Sequence, residues 1–451
     1  MYDNATPDAQ CLAAAFRRGS LTPSAWLQQL WPRIHAARHV FTHLTPARAE
    51  QEAAAATQRW RKGRPMSPFD GVPMAWKDLF DVAGTVTTAG TEVRRQAAPA
   101  PRDATLVVQA ARAGLVCVGK TNLSELAYSG LGLNPHFGTP TLPCGNRPAR
   151  VPGGSSSGSA IAVAQGLVPI AMGTDTAGSI RVPAAFNGLV GFRPTQGRYA
   201  GAGIFPLAHS FDCPGPMASS IAEVVTLDAL FTGRRQALSP IPLSRLHLVV
   251  DQAVLDDPCV TDAVRKNVER ALSQLTAAGA KIERRPITAF KRTVEHITDA
   301  GWLGGVEAFA LHRTLLDSVN AERLDPRIRQ RLEGAREFDA EQIESLQRQR
   351  QRLTNDLCNE LGGALLVTPT VGHVAPPLAP LEYDDDLFFA TNAATLRLTM
   401  PGSLMGMPGI SLPCGRDVQG LASGLLLSGP SGSDERVLSA ATSIAKLLCT
   451  T

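Results

Sequence analysis

Between Val151 and Asn187 small residues crowd the chain around two serine-bearing turns. The first reads Gly153-Gly154-Ser155-Ser156-Ser157-Gly158-Ser159, the second Gly173-Thr174-Asp175-Thr176-Ala177-Gly178-Ser179-Ile180-Arg181. No other feature constrains the fold as much. Glycine lets a backbone turn sharply and approach another group closely, so such a stretch suits the floor of a tight pocket. Two such turns can bring two hydroxyls together beside a fan of main-chain N–H donors. The first turn alone would also suit a flexible linker. Its company argues otherwise, because a lysine lies upstream in Gly71-Val72-Pro73-Met74-Ala75-Trp76-Lys77-Asp78.

At 451 residues the chain could hold two ordinary domains, although α/β enzymes of this size also share one core. Its 44% hydrophobic and 19% charged residues belong to a folded globular protein. A net charge of +4, from 44 basic and 40 acidic residues, gives no case for nucleic-acid binding at this length. The basic pairs Arg61-Lys62 and Lys291-Arg292 read as solvated surface. Eight scattered cysteines (Cys11, Cys117, Cys144, Cys213, Cys259, Cys358, Cys414 and Cys449) form no Cys-x-x-Cys, so reduced thiols are expected, not a zinc site or disulfide framework. Met1-Tyr2-Asp3-Asn4 lacks the basic-then-apolar layout of a secretory signal. The longest apolar stretch, Ala160 to Met172, is too short and too broken by Gln165, Gly166 and Pro169 to span a bilayer. A cytoplasmic protein without a membrane partner is expected.

Residues 1–64 carry helix-period apolar positions, with two or three helices between Ala9 and Gln58. Thr22-Pro23 and Thr45-Pro46 suit helix starts, since proline fits the first turn. Over 65–234 short apolar strands alternate with helices. Gly71 to Val82 reads as strand and turn, Asp103 as the cap of a helix over Ala104 to Ala113, and Leu115 to Val118 as a buried strand. A helix then starts near Ser159, a strand covers Leu167 to Met172, and Ile180 to Ala185 enters another helix. From 235 to 362 the texture becomes helix-rich, with strands at Leu246 to Val250 and Lys281 to Arg285 flanking a periodic helix over Thr261 to Ala278. Residues 363–451 return to apolar sequence punctuated by glycine and proline, as in Ala364 to Thr370 and Met400 to Gly415. The simplest organisation is one core with a helical excursion covering its active face, preferred over a two-domain split near 235.

The lysine segment and the two turns together resemble the amidase signature family of serine hydrolases. The likeness extends through Gly119-Lys120-Thr121-Asn122-Leu123-Ser124-Glu125-Leu126-Ala127, Gly191-Phe192-Arg193-Pro194-Thr195, Asp212-Cys213-Pro214-Gly215-Pro216-Met217-Ala218 and Pro408-Gly409-Ile410-Ser411-Leu412-Pro413. It is dense over about residues 65 to 220 and patchy through the helical excursion. It implies an α/β fold with one large core, a mixed central β-sheet covered by helices on both faces, acting on a small-molecule amide without metal or cofactor. It also implies that Ser179 is the nucleophile, with the N–H groups of Thr176, Ala177, Gly178 and Ser179 as the oxyanion hole. Ser155, 24 residues earlier, would relay the proton to Lys77 and follow a cis peptide bond. Asp175 and Arg181 would orient the loop; Ser156 and Ser157 would stand outside the relay. The segment 127–132, with Ala127, Tyr128 and Ser129, would line the pocket and Leu404 to Met407 would close it. Many members carry asparagine where Ser403 stands before Gly406, and glycine where Ala177 stands. Alanine there is harmless at ordinary φ and strained at positive φ.

A free lysine, with a pKa near ~10.4, is almost wholly charged at neutral pH and cannot accept a proton. Burial must lower that value by about three units, worth roughly 4 kcal/mol. The apolar run Val72-Pro73-Met74-Ala75-Trp76 suits such a desolvated position. Strand alternation should turn Asp78 away from the amine.

Three other readings compete. Gly114-Leu115-Val116-Cys117-Val118-Gly119-Lys120-Thr121 formally matches a phosphate loop, but its four central residues look like the strand itself and not the loop after one. Histidine-based catalysis has only His373 in a suitable loop, where a structural or substrate-lining role fits better. A glutamine-hydrolysing amidotransferase subunit would share the whole core. The expected activity is hydrolysis of a linear C–N amide bond through a Ser179 acyl-enzyme, with a homodimer left open. Neither 127–132 nor 404–407 offers a charged anchor, so a neutral aliphatic or aryl amide is expected before a ureido acid such as a carboxylated biuret.

Overall fold

The protein is described by a computed structural model covering residues 7–142 and 147–448. The readings of Met1 to Asn4, Cys144 and Cys449 lie outside these residues. The chain adopts the expected α/β fold around a mixed sheet. Among the described residues its eleven strands are β1 (Phe41–Leu44), β2 (Pro73–Lys77), β3 (Val116–Thr121), β4 (Ile170–Asp175), β5 (Val190–Arg193), β6 (Cys213–Ala218), β7 (His247–Val250), β8 (Lys281–Arg284), β9 (Leu365–Pro369), β10 (Gly409–Arg416) and β11 (Ala422–Ser428). They run in the order β1-β3-β2-β4-β6-β5-β10-β11-β9-β7-β8. Strands from before and after residue 235 thus join one sheet. β2 lies parallel to both β3 and β4, and every residue of these three strands is buried. A strand buried on both faces needs an unbroken apolar run, which Val116 to Val118 and Ile170 to Met172 supply.

At the N-terminus stand α1 (Ala9–Arg18), α2 (Pro23–Ala36) and α3 (Pro46–Arg61). Gly19 ends α1 in the left-handed region at φ 70°, and the Thr22 hydroxyl accepts the Ala25 N–H to cap α2. Thr45 precedes α3 without capping it; its hydroxyl donates to the Cys117 carbonyl at 2.9 Å. Asp103 is not the cap of α4 (Thr105–Arg112), whose N-cap position falls to Ala104. The guanidinium of Arg48 grips both Asp103 oxygens at 2.8 and 2.9 Å, and the Ala83 N–H takes the carboxylate as well. A charge-assisted fork outcompetes a single N-cap bond.

Next come α5 (Ser157–Ala164), packed on β2, β3 and β4, and α6 (Arg181–Asn187), packed on β5, β10 and β11. Both begin at the serine turns, so the ends of β2 and β4 and the starts of α5 and α6 converge. Gly114 to Thr121 is no phosphate loop, because β3 runs on through Gly119, Lys120 and Thr121. A single 3-10 turn at Glu125–Ala127 follows instead of a helix. Among the described residues no helix is long and apolar enough to cross a membrane.

Candidate active site

Lys77 ends β2 and Asp175 ends β4; because the strands are parallel, with Trp76 opposite Met172, these ends lie side by side. The Lys77 side chain is wholly buried. Its ammonium group donates to the Ser155 hydroxyl at 2.7 Å and to the Thr174 hydroxyl at 2.9 Å. Burial lowers the Lys77 pKa from 10.5 to about 7, against the opposing pull of Asp212 and Asp175. Asp78, the next residue, faces the other way and pairs with Lys120 at 2.6 Å. Strand alternation therefore keeps the adjacent carboxylate off the Lys77 amine.

Ser155 follows a cis peptide bond from Gly154. A Cβ on Gly154 would fall 2.6 Å from the Gly132 nitrogen and 2.7 Å from the Ser129 carbonyl, so only glycine fits there. The neighbouring serines are engaged or aside. Ser156 Oγ donates to the Thr174 carbonyl at 3.3 Å, Ser159 Oγ to the Met172 carbonyl at 2.9 Å, and Ser157 Oγ is buried without a partner. Ser155 alone meets the lysine.

Ser179 is 5% exposed, and its carbonyl accepts the Ser156 N–H at 3.3 Å, which links the two turns. Its hydroxyl makes no hydrogen bond to Ser155. Among the described residues none of the N–H groups of Thr176, Ala177, Gly178 and Ser179 donates a hydrogen bond, so four donors stand free beside one hydroxyl. Ala177 keeps an ordinary φ and is unstrained, whereas Gly178 sits at φ 148°, where a Cβ would run into the Thr399 side chain. The Thr399 hydroxyl donates to the Ala177 carbonyl at 2.6 Å and pins this turn from outside.

Asp175 and Arg181 form a buried fork, with guanidinium nitrogens 2.9 Å from each carboxylate oxygen. The same carboxylate takes the Ile180 and Arg181 N–H groups at 3.2 and 3.3 Å. Burial disfavours the Asp175 anion, but Arg181, Arg193 and these N–H bonds outweigh it and hold the carboxyl below its usual range. Arg181 also donates to Ser403 Oγ at 2.7 Å, so Ser403 supports the loop and does not line the cavity.

Ser179 opens onto a small cavity of about 30 Å3, bounded in part by Ala127, Tyr128, Ser129, Thr176 and Ala177. Leu126 and Ala127 hold left-handed torsions, φ 50° and 60°, uncommon for residues with a side chain. Leu404 to Met407 do not close it; Leu396 and Met400 do, with Trp302 and Arg331 from the helix-rich segment. His373 stands apart, its Nδ1 at 2.9 Å from the Val374 carbonyl and its Nε2 at 3.1 Å from the Thr395 hydroxyl. Thr174, Thr399, Arg331 and Asn392 were not singled out from sequence. Only Thr174 carried a usable signal, lying inside the second turn and one residue from the end of β4.

A buried lysine, two serine turns and a row of free N–H groups thus meet beside one cavity. The family model described as Amidase matches residues 26–438. The chain belongs to this amidase signature family. It is 31% identical over 450 residues to 2-amino-5-chloromuconic acid deaminase of Comamonas testosteroni, covering 97% of this chain and 95% of that one. It is 33% identical to mandelamide hydrolase of Pseudomonas putida, covering 94% and 87%. The A subunit of glutamyl-tRNA(Gln) amidotransferase from Cupriavidus necator is 30% identical over 95% of this chain and 94% of its own. A solved structure titled "Crystal structure of amidase" superposes with a TM-score of 0.87 at 31% identity, covering 98% of this chain and all of that one.

Proposed function

We propose that the protein hydrolyses the C–N bond of a small-molecule amide through a Ser179 acyl-enzyme. The observation that carries this is the Lys77–Ser155 hydrogen bond of 2.7 Å inside a wholly buried site. An amine with a pKa of about 7 is part neutral at physiological pH and able to accept a proton. Ser179 Oγ attacks the carbonyl carbon and its proton passes to Ser155 Oγ, while the Ser155 proton passes to Lys77 Nζ. The N–H groups of the 176–179 turn receive the oxyanion, each such donor being worth about 3 kcal/mol of barrier. Collapse of the tetrahedral species breaks the C–N bond, and the proton on Lys77 returns through Ser155 to the leaving amine. Water then repeats the sequence on the acyl-enzyme, releasing the acid and restoring Ser179. The hydroxyl–hydroxyl bond this requires is of the kind that often tightens only around bound substrate.

Ser179→Ala should abolish amide turnover, by roughly 10^4-fold or more, while leaving the fold intact. A variant with undiminished ammonia or amine release would end this reading. The similarity to amidotransferase A subunits supports a second reading, in which glutamine is the amide and a partner receives the ammonia. Glutaminase activity appearing only with a co-purified subunit would favour it.

A further inference from the structure

The cavity at Ser179 adjoins a second chamber of about 540 Å3, the two sharing Arg331, Leu396 and Met400 as lining. The chamber is lined mainly by apolar side chains such as Val294, Ile297, Phe389 and Pro401. Two arginines also border it. Arg397 is neutralised by Asp257 at 2.8 Å. Arg331 is not: among the described residues no carboxylate pairs with it. It rises from the helix Pro326–Glu333, whose first turn is anchored by the Asp325–Arg327 fork at 2.8 and 3.0 Å. Its Nη1 donates to the Tyr128 carbonyl and its Cζ lies 4.4 Å from the Tyr128 ring centroid. Nε and Nη2 have no acceptor among the described residues. Burial lowers the Arg331 pKa, with only the Tyr128 phenol acting the other way. Beside it, Asn392 spends its side-chain oxygen on the Ser129 hydroxyl and the Gly130 N–H, at 3.1 and 2.8 Å. Its amide nitrogen is left without a partner at the wall of the chamber.

Arg331 is half-buried among apolar side chains, and a guanidinium so placed is costly unless an anion completes it. Its planar fork suits a carboxylate, and a side-chain amide beside it supplies one more donor. We infer that Arg331, helped by Asn392, receives a carboxylate carried by the substrate at a remove from the scissile amide, so that the preferred substrates are monoamides of dicarboxylic acids. On this inference a charged substrate would take the place of the neutral amide expected from segments 127–132 and 404–407, with the anchor supplied by the helix-rich segment. This inference rests on the amidase reading of Ser179.

Two measurements separate the two. The first compares kcat/KM for monoamides of short dicarboxylic acids with that for the near-isosteric diamides. Wild-type protein should favour the monoamides, Arg331→Met should lose about 100-fold on them and little on the diamides, and Arg331→Lys should fall between. The second needs no turnover: calorimetric binding of a monoamide acid to Ser179→Ala, with and without Arg331→Met. A loss of binding with Arg331→Met, in a protein that hydrolyses no amide, would retain the carboxylate site and remove the amidase reading. Hydrolysis of diamides with equal monoamide kcat/KM in wild-type and Arg331→Met protein would overturn the carboxylate site and keep the amidase. Arg331→Gln, which can still donate to the Tyr128 carbonyl, replaces Arg331→Met should that variant not fold.

Discussion

Two buried lysines sit on neighbouring parallel strands and meet opposite fates. Lys77 ends β2, and Lys120 lies one residue before the end of β3, opposite Trp76 in the register. Side chains alternate along a strand, so the two amines leave the sheet on opposite faces. Neither is exposed to solvent. Lys120 meets Asp78 at 2.6 Å, the Thr87 hydroxyl at 2.8 Å and the Val86 carbonyl at 2.9 Å. Lys77 meets two hydroxyls. Burial lowers both pKa values, but Asp78 pulls directly on Lys120, whereas Asp212 and Asp175 act on Lys77 without an ion pair. The difference lies in the partner, not in the burial. A desolvated amine held by hydroxyls loses its proton more readily than one paired with a carboxylate.

The largest expected effect breaks the comparison if it fails. Lys77→Met should lower kcat/KM by about 10^3 to 10^4-fold at neutral pH, while Lys120→Met, provided it folds, should keep kcat near wild type. Equal losses would mean the two amines do the same work.

Stability should invert that order. Lys120→Met leaves Asp78 buried without its cation and should cost about 3–5 kcal/mol in chemical denaturation. Lys77 behaves oppositely, because its folded pKa of about 7 lies below the unfolded value of 10.5. The unfolded chain holds the extra proton between these limits, so stability rises with pH across that window and the penalty is complete below about 7. Lys77→Met should therefore gain roughly 1–3 kcal/mol at acid pH, after the loss of two hydrogen bonds, and the gain should vanish towards the unfolded pKa.

The smallest effect makes one site imitate the other. Thr174→Asp places a carboxylate beside Lys77 and should move the midpoint of the pH–rate profile upward by about one unit or more. Activity lost at neutral pH should return in alkali. An unmoved midpoint would show that Lys77 does not set the profile.

The arrangement of the candidate site was legible because it lies in two local turns and one strand end. Gly153 to Ser159, Gly173 to Arg181 and Lys77 stand out by spacing and residue type, and the alternation from Lys77 to Asp78 already implied opposite faces. Helix starts at Pro23 and Pro46 read correctly because proline acts locally. What escaped depends on contacts between distant residues. Asp103 looked like a cap until Arg48, far earlier in the chain, claimed it. Thr399 holds the 176–179 turn across more than two hundred residues, and nothing in Leu398-Thr399-Met400 announces that. Arg331 reads as one more arginine of a polar helix; only packing places it over Tyr128 at the mouth of the cavity.

The proposed proton relay depends most on the charge state of Lys77, and the chain has only seven lysines with which to measure it. Lysine labelled with carbon-13 at Cε, assigned through Lys77→Met and Lys120→Met, lets each amine be titrated by NMR. Lys77 should show a midpoint near 7, set by burial beside Ser155 and Thr174. A Lys77 resonance that stays protonated up to the range of an ordinary lysine, about 10.4, would contradict it.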